Sequence, residues 1–320
     1  MRRSLTAACL LTLAVAVSAC GAGGSSSQPD ADSRTHVTTT SPDAALPSEP
    51  GSVTIGSADF PEAEILAYVY AGAMKARGVK TEVHANIGER TSYMAALKDG
   101  SIGAVPEYSG ALLSYLSPDD KASASKEVYA GLKTAASRQN LAVTDYAPAQ
   151  DADTITVTGE TAEKYHLKTI ADLKPVAVKL KLGGPAPLLT VPHGVPAFKN
   201  VYGVAFKQFV ALSPTGTITQ TALRNGTVDA ADIFSTDPAI SRYGFVSLED
   251  SKHVFPAQNV VPVFRRDVLT QPMEDASNAV SAKLNTRELR DLVTKVTDGG
   301  DPSEVASQWL KQNRLDTPSA

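Results

Sequence analysis

An aromatic residue followed by a serine occurs twice in the chain, each time after a short buried run that predicts a β-strand. The two pairs are Tyr108-Ser109 and Phe234-Ser235. Ligands of open α/β sheets bind outside the carboxyl ends of the strands. The negative face of an aromatic ring attracts a cation by about 0.5–2 kcal/mol per contact. The two rings therefore predict facing walls of a cleft, suited to a cationic head group or to a flat or apolar ligand.

Both pairs end an internal repeat in which residues 96–104 match residues 222–230 at a constant offset. Each copy has the pattern of a helix end, a glycine turn and a buried strand. The repeat predicts two similar lobes that each present one ring to a shared cleft. Lobes arranged in this way close about a hinge when a ligand bridges them.

The elements around these pairs alternate between strand and helix patterns. A buried run at 53–55 precedes apolar residues at helical spacing between Ile65 and Ala73, and residues 79–87 then alternate as a half-buried strand. Such an order predicts an α/β fold whose parallel strands are joined by helices. Two C-terminal helices, one after Thr286 and one after the capping box at 301–304, are expected to pack on the first lobe.

Catalysis, metal binding and nucleic-acid binding find little support in the sequence. A Gly-x-Ser-x-Gly elbow and a phosphate loop are both absent. The five histidines lack metal-ligand spacing, and Asp229, Asp232 and Asp237 lack the spacing of a calcium loop. The formal net charge is −4 and no basic run occurs after the first residues. We expect no catalytic residue, metal, cofactor or nucleic acid. Two alternatives contrast with this expectation: an enzyme that depends on Asp153 or Glu107, and a structural surface protein.

The N-terminus has the three parts of a secretory signal, which are a basic start, an apolar stretch at 5–17 and small residues before a cysteine. Val17-Ser18-Ala19-Cys20 resembles the bacterial lipobox, which implies removal of 1–19 and acylation of Cys20; an ordinary cleaved signal is the alternative. Residues 20–50 are rich in Gly, Ser, Pro, Thr and Asp, which predicts a flexible tether. We expect a protein anchored by lipid at the extracytoplasmic face of the cell membrane.

Several further blocks follow one another in order along the chain. They are Ile55-Gly56-Ser57, Pro106-Glu107-Tyr108-Ser109-Gly110, residues 164–173, Tyr202-Gly203, Phe234-Ser235-Thr236-Asp237 and residues 248–256. Together they make the sequence from 53 to about 310 resemble the glycine betaine/choline/carnitine-type osmoprotectant-binding proteins of bacterial ABC importers. The resemblance implies a two-lobed, type II periplasmic-binding-protein fold, each lobe a central, mostly parallel sheet flanked by helices. It places lobe I at 51–142 plus 250–320 and lobe II at 143–249.

The ligand cage of this family is usually built of four tyrosines, and the resemblance maps it onto the present chain. Tyr108 keeps the first ring, and Phe234 keeps the third without its hydroxyl. Ile155 corresponds to the second and Gln258 to the fourth, so two walls are not aromatic. The ligand-binding residues implied in this way are Tyr108, Asp153, Ile155, Phe234, Gln258, Ala58, Ala111 and Ser109.

The expected function is that of a monomeric receptor that captures a small-molecule solute and delivers it to the membrane permease and ATPase subunits of an ABC importer. The solute class is glycine betaine, choline, carnitine or proline, with Asp153 facing a cation directly. An alternative keeps the fold and binds a flat polyhydroxylated or aromatic compound, because Ile155 and Gln258 leave half of the cage without rings.

Overall fold

The computed structural model describes residues 45–212 and 216–317. The predicted signal peptide, Cys20 and the predicted tether up to residue 44 lie outside the described residues. The last residues assigned to the tether are held against the body, since Gln271 N donates to Pro47 O over 2.9 Å and Thr270 Oγ1 donates to Pro50 O over 3.2 Å. Within the described part, no helix has the length and apolar character needed to cross a bilayer.

Ten strands form two five-stranded sheets. The first sheet contains β1 (Ser52–Gly56), β2 (Lys80–His84), β3 (Ala104–Tyr108), β4 (Leu141–Val143) and β10 (Val260–Arg265), in the order β2-β1-β3-β10-β4. The second sheet contains β5 (Asp153–Thr158), β6 (Lys181–Gly184), β7 (Gln208–Ala211), β8 (Ala230–Phe234) and β9 (Phe245–Ser247), in the order β7-β6-β8-β5-β9. We call the first sheet with its helices the first lobe, and the second sheet with its helices the second lobe.

Eleven α-helices are present in the described part of the chain. They are α1 (Pro61–Ala76), α2 (Arg90–Asp99), α3 (Ser109–Leu116), α4 (Ser125–Ser137), α5 (Gly159–Tyr165), α6 (Val195–Ala197), α7 (Thr217–Arg224), α8 (Pro238–Tyr243), α9 (Gln271–Lys283), α10 (Thr286–Thr297) and α11 (Pro302–Gln312). Short 3-10 helices lie at Ile170–Leu173, Ala177–Lys179 and Ala186–Leu189, and a π-helical turn at Phe198–Tyr202 follows α6.

Both sheets are mixed, whereas the resemblance implied mostly parallel ones. In the first sheet β1 is parallel to β2 and β3, and β10 runs antiparallel between β3 and β4. In the second sheet β6 is parallel to β7 and β8, and β5 runs antiparallel between β8 and β9. The antiparallel strands are those by which the chain enters each lobe from the other one, so a strand–helix–strand pattern within one lobe does not reveal their direction.

Helix α1 is the centre of the first lobe. Its residues Ile65 and Val69 are fully buried in one hydrophobic cluster together with Leu289 of α10 and Trp309 of α11. Trp309 Nε1 also donates to Glu288 Oε2 over 2.7 Å, which satisfies the polar atom of this buried indole. The C-terminal helices thus pack on the first lobe, as the sequence predicted.

The internal repeat is a real structural unit in each lobe. In the first copy Ile102 N donates to Ala96 O, and in the second Val228 N donates to Ala222 O, both over 3.2 Å. The turn glycine Gly100 has φ 88°, a left-handed value that favours glycine. Each unit leads into the central strand of its sheet, β3 or β8, and so places an aromatic residue at that strand's carboxyl end.

Candidate ligand-binding site

Tyr108 ends β3, and both its hydroxyl and its ring are held in place. The hydroxyl donates to Glu62 Oε1 over 2.6 Å. The ring stacks on Phe60, with the ring centroids 6.3 Å apart and the planes inclined by 21°. Phe60 directly precedes α1 and is 40% exposed. The first lobe therefore presents two neighbouring rings at the carboxyl end of its central strand, β3.

Glu62 lies in the first turn of α1 beneath these rings and is only 5% exposed. Burial, and secondarily the charge of Asp151, raises the pKa of Glu62 to about 8, although hydrogen bonds from Tyr108 and Thr236 act in the opposite direction. Burial therefore favours the protonated form of this carboxyl near neutral pH.

Asp151 lies in the segment that leads from β4 of the first lobe to β5 of the second. Burial raises its pKa to about 6, a hydrogen bond from Thr236 opposes this shift, and the charge of Asp153 adds to it. Thr236 Oγ1 donates to Asp151 Oδ1 over 2.5 Å. Since Thr236 follows β8 and Glu62 begins α1, these groups bring the two lobes together around buried carboxyls.

In the second sheet, an aromatic ring and two carboxyl groups lie near the carboxyl end of the central strand, β8. Asp153 of β5 pairs with Phe234 of β8, and Asp232 lies opposite Ile155 two pairs further into the sheet. Directly paired residues of antiparallel strands point to the same face. Asp153, Asp232 and Phe234 therefore share one face of the sheet at the carboxyl end of β8.

The two carboxyls at this edge differ in their surroundings. Burial raises the pKa of Asp153, while the nearby His193 opposes the shift. Burial raises the pKa of Asp232 to about 8, and the charge of Asp153 adds to this shift. Asp232 is 4% exposed, and its Oδ1 has no hydrogen-bond partner among the described residues. A buried oxygen without a donor is uncommon in folded proteins and calls for an explanation.

Ile155 does not reach the edge at which the resemblance placed it. Its side chain is fully buried in the hydrophobic cluster of the second lobe, together with Val157 and Leu182. The residue at the outer end of this face of β5 is Asp153, two positions earlier. Because side chains on one face of a strand recur every second residue, Asp153 and Ile155 lie on the same face of β5, with Asp153 nearer its end.

Gln258, Ala111 and Ser109 meet at the start of α3. Gln258 Oε1 accepts a hydrogen bond from Ala111 N over 2.9 Å, and Gln258 N donates to Gln150 Oε1 over 3.1 Å. Ser109 is buried, and its Oγ accepts from Asn259 N over 3.1 Å. These side chains thus join α3 to the segment that returns into β10, and of the three only Gln258 and Ala111 are partly exposed.

Ala58 lines a separate depression of about 300 Å³ together with Phe60, Arg90 and Tyr93. The guanidinium of Arg90 binds both carboxylate oxygens of Glu107, over 2.8 and 3.0 Å, and the Tyr93 hydroxyl donates to the same carboxylate over 2.7 Å. Glu107 belongs to β3 and directly precedes Tyr108, and its charge is paired with that of Arg90. This network supports the ring edge of the first lobe from below.

A second connection between the lobes lies behind the edge of the second sheet. Arg290 of α10 donates to the carbonyl oxygen of Ser235 from Nε over 2.9 Å and from a terminal nitrogen over 2.5 Å. The Ser235 hydroxyl in turn donates to Gln150 O over 2.7 Å and accepts from Ala152 N over 3.0 Å. The turn after Phe234 is therefore fixed to both the connecting segment and the first lobe.

The arrangement offers rings and carboxyls but little for catalysis or metal binding. Among the described residues, no group of three or more His, Cys, Asp or Glu side chains is placed to hold a metal ion. Among the described residues, ion pairs are formed by Arg90, Arg242 and Arg265. None of them involves the site carboxyls, which are Glu62, Asp151, Asp153 and Asp232. Such a site attracts positive charge.

Comparison with known families also supports a binding function. Residues 51–312 match the family described as the substrate binding domain of ABC-type glycine betaine transport systems. The chain belongs to this family. It is thus a substrate-binding protein of the ABC-transporter class that handles osmoprotectants, as the sequence blocks implied.

Curated members of the family resemble the chain over most or half of its length. The glycine betaine-binding protein YehZ of Escherichia coli (strain K12) is 28% identical over 283 residues, which are 84% of this chain and 93% of that protein. The carnitine transport binding protein OpuCC of Listeria monocytogenes is 30% identical over 159 residues, which are 48% of this chain and 51% of that protein.

Solved structures of this osmoprotectant-binding group share the fold. A crystal structure described as a glycine betaine/carnitine/choline ABC transporter superposes with a TM-score of 0.76 at 24% identity, covering 82% of this chain and 99% of the other. Apo YehZ from Escherichia coli superposes with a TM-score of 0.72 at 26% identity, again covering 82% and 99%. The two-lobed, type II periplasmic-binding-protein fold is confirmed.

Four residues near the candidate site were not among the predicted ligand-binding residues. They are Phe60, Glu62, Asp151 and Asp232. Phe60 and Glu62 flank the proline that begins α1, and their position just beyond β1 was the available signal. Asp232 lies two residues before Phe234, which places both on one face of β8.

Proposed function

We propose that the chain is the solute-capturing receptor of an ABC importer and that its solute is of the glycine betaine, choline, carnitine or proline class. The observation that carries the proposal is the pair of sheet edges, one with Phe60 and Tyr108 and the other with Asp153 and Phe234. Rings and carboxylates are the groups that attract an organic cation. The family match over 51–312 supports the same solute class.

In this proposal the solute is held between lobe I, residues 51–142 plus 250–320, and lobe II, residues 143–249. The membership of the strands supports this division, because the chain changes sheets after β4 and again after β9. The two connecting segments act as the hinge, and closure of the lobes buries the solute. The closed monomer then delivers the solute to the permease and ATPase subunits of the importer.

The proposal includes a lipid anchor at Cys20, formed after removal of residues 1–19, at the extracytoplasmic face of the membrane. The small residues before Cys20 and the apolar stretch before them support it. Incorporation of labelled palmitate into cells that express the chain tests this step. Label in the wild type that is lost in Cys20→Ala supports the anchor, and equal label in both proteins refutes it.

Calorimetric titration of the purified chain with glycine betaine, choline, carnitine and proline tests the receptor. We expect at least one of them to bind and to reduce the radius of gyration in X-ray scattering. Phe234→Ala should weaken that binding about tenfold, because a cation–π contact of about 0.5–2 kcal/mol is lost. Tyr115→Ala, at an aromatic residue that is 45% exposed elsewhere, is the matched control. No detectable binding of any of the four solutes, together with binding of an unrelated compound, would refute the solute class.

The alternative of a flat polyhydroxylated or aromatic solute is not favoured. It depended on Ile155 and Gln258 as open, non-aromatic walls. Ile155 is packed in the core of the second lobe, and Gln258 Oε1 is engaged by Ala111 N. The edge that remains is acidic, which suits a charged solute better than a neutral aromatic one.

A further inference from the structure

One oxygen of the Asp232 carboxyl, Oδ1, has no partner among the described residues although the residue is almost completely buried. Its exposure is 4%, and no donor of the described residues reaches its Oδ1. Its neighbours cannot supply one, because Ile155 opposite it is apolar and Gly184 beside it has no side chain. A Cβ built on Gly184 would be only 3.2 Å from the Asp232 Cβ, so the carboxyl is closely enclosed on that side.

Asp232 lies two residue pairs behind the pair of Asp153 and Phe234, and therefore on the same face of the sheet. Asp153 is near enough for its charge to raise the pKa of Asp232. The outer members of the group, Asp153 and Phe234, are half-buried, whereas Asp232 is deeper. A solute that enters along the ring of Phe234 therefore meets Asp153 first and then the unpartnered oxygen of Asp232.

The carboxyls around the pair offer no positive partner to a negatively charged group. Glu62 and Asp151 are close enough for the charge of Asp151 to act on Glu62 and that of Asp153 on Asp151, and the ion pairs between described residues involve none of the four carboxyls. The exposed His193 acts on Asp153. A solute carboxylate would find no positive partner among these carboxyls, and a fully substituted ammonium has no N–H to give to Asp232.

We infer that Asp153 and Asp232 form a subsite for a positively charged solute group that carries an N–H or O–H donor, so that the preferred solute is an amine or amino alcohol without a carboxylate. The inference rests on the proposed function, and of the four solutes named there only choline lacks a carboxylate. Asp153 supplies the charge, the ring of Phe234 covers the cation, and Asp232 accepts the hydrogen bond.

Calorimetric titration of the purified chain with four matched probes tests the subsite. Ethanolamine has N–H and O–H donors, choline has only the O–H, tetramethylammonium has neither, and glycine betaine adds a carboxylate. We expect ethanolamine to bind at least tenfold more tightly than tetramethylammonium and glycine betaine. Choline at the level of ethanolamine assigns the donor to the hydroxyl, and choline at the level of tetramethylammonium assigns it to the N–H.

Two variants separate charge from hydrogen bonding. Asp232→Asn should lower the affinity for the probe that carries the donor about tenfold and should change the affinity for tetramethylammonium by no more than about twofold. Asp153→Asn should weaken all three cations, and it keeps the test decisive if Asp232→Asn fails to fold. Asp119→Asn, the same change at an exposed site, is the control and should alter nothing.

The outcomes distinguish the two levels of inference. Unchanged cation affinities in both variants, or tighter binding of glycine betaine than of ethanolamine and choline, would overturn the subsite and leave the receptor intact. Absence of binding for these probes and for carnitine and proline at millimolar concentration would overturn the receptor itself.

Discussion

Replacing Glu62 by glutamine should change how the stability of the protein depends on pH. The carboxyl is 5% exposed and holds its proton up to a pKa of about 8. Glutamine has nearly the same size and keeps an oxygen that can accept the hydrogen bond from Tyr108, which spans 2.6 Å in the wild type. The substitution therefore removes the titration of this group while retaining most of its packing.

The size of the effect follows from the two pKa values of Glu62, 4.5 as the ordinary value and about 8 in the folded chain. Between them the folded state binds more protons than the unfolded state, so stability decreases as the pH rises. The contribution is fully present below pH 4.5 and is lost through pH 8. At about 1.4 kcal/mol per pH unit, the change from pH 5 to pH 7 lowers the free energy of unfolding by about 2–3 kcal/mol.

Thermal and urea unfolding at several pH values between 5 and 8 measures this difference. The wild type should lose stability toward pH 8 more steeply than Glu62→Gln, and the gap between their melting temperatures should widen by roughly 5–10 °C. Glu127→Gln is the matched control, because Glu127 also lies in the first turn of a helix but is exposed. Its curve should run parallel to that of the wild type.

Parallel curves for the wild type and Glu62→Gln over this range would refute the reasoning. They would mean that Glu62 ionises in the folded protein much as it does in the unfolded chain. A Glu62→Gln protein that is destabilised equally at every pH would have the same meaning, since a constant loss reports packing or hydrogen bonding and not a proton.

Three further outcomes follow from the contacts of the site. Glu107→Gln should lower the free energy of unfolding by about 2–4 kcal/mol, because Arg90 loses a bidentate partner that is only 1% exposed; an unchanged urea midpoint would contradict this. Arg290→Ala removes the two hydrogen bonds to the Ser235 carbonyl of the second lobe and should enlarge the radius of gyration of the ligand-free protein. Equal radii for the variant and the wild type would show that these bonds do not hold the lobes together. Binding of a cation at pH 7 should release about one proton, since it lowers the raised pKa values of Glu62 and Asp232, and heats that do not vary between buffers of different ionisation enthalpy would exclude this.

Local patterns were sufficient for the architecture of this chain but not for the direction of every strand. The repeat at 96–104 and 222–230 predicted equivalent units in two lobes, and both copies form the same hydrogen bond across the glycine turn. The strands β5 and β10 were missed as antiparallel because their direction depends on where the chain crosses between lobes. That crossing is set by the packing of distant segments and leaves no periodic signal.

The site shows the same division between local and distant information. Tyr108 and Phe234 were predicted as cleft walls because each comes at the end of a buried run, and the structure places each at the carboxyl end of the central strand of its sheet. Ile155 is packed in the core of the second lobe, and the strand register, which a resemblance between short segments does not fix, pairs Asp153 rather than Ile155 with Phe234. The raised pKa of Glu62 arises from burial and from Asp151, and no spacing in the sequence brings these two residues together.

Charge and closure are linked in this site by the residues that the sequence did not reveal. Glu62 comes from the first lobe and Thr236 from the second, and both contact the region of Asp151. Bringing the lobes together buries carboxyls side by side, which requires either bound protons or an added positive charge. In the proposed receptor a cationic solute would supply that charge and replace the protons, while a zwitterion would bring a carboxylate that offsets its own ammonium. We therefore propose that the acidic lining favours closure around a cation, so that the solute's charge contributes to selectivity together with its fit to the rings.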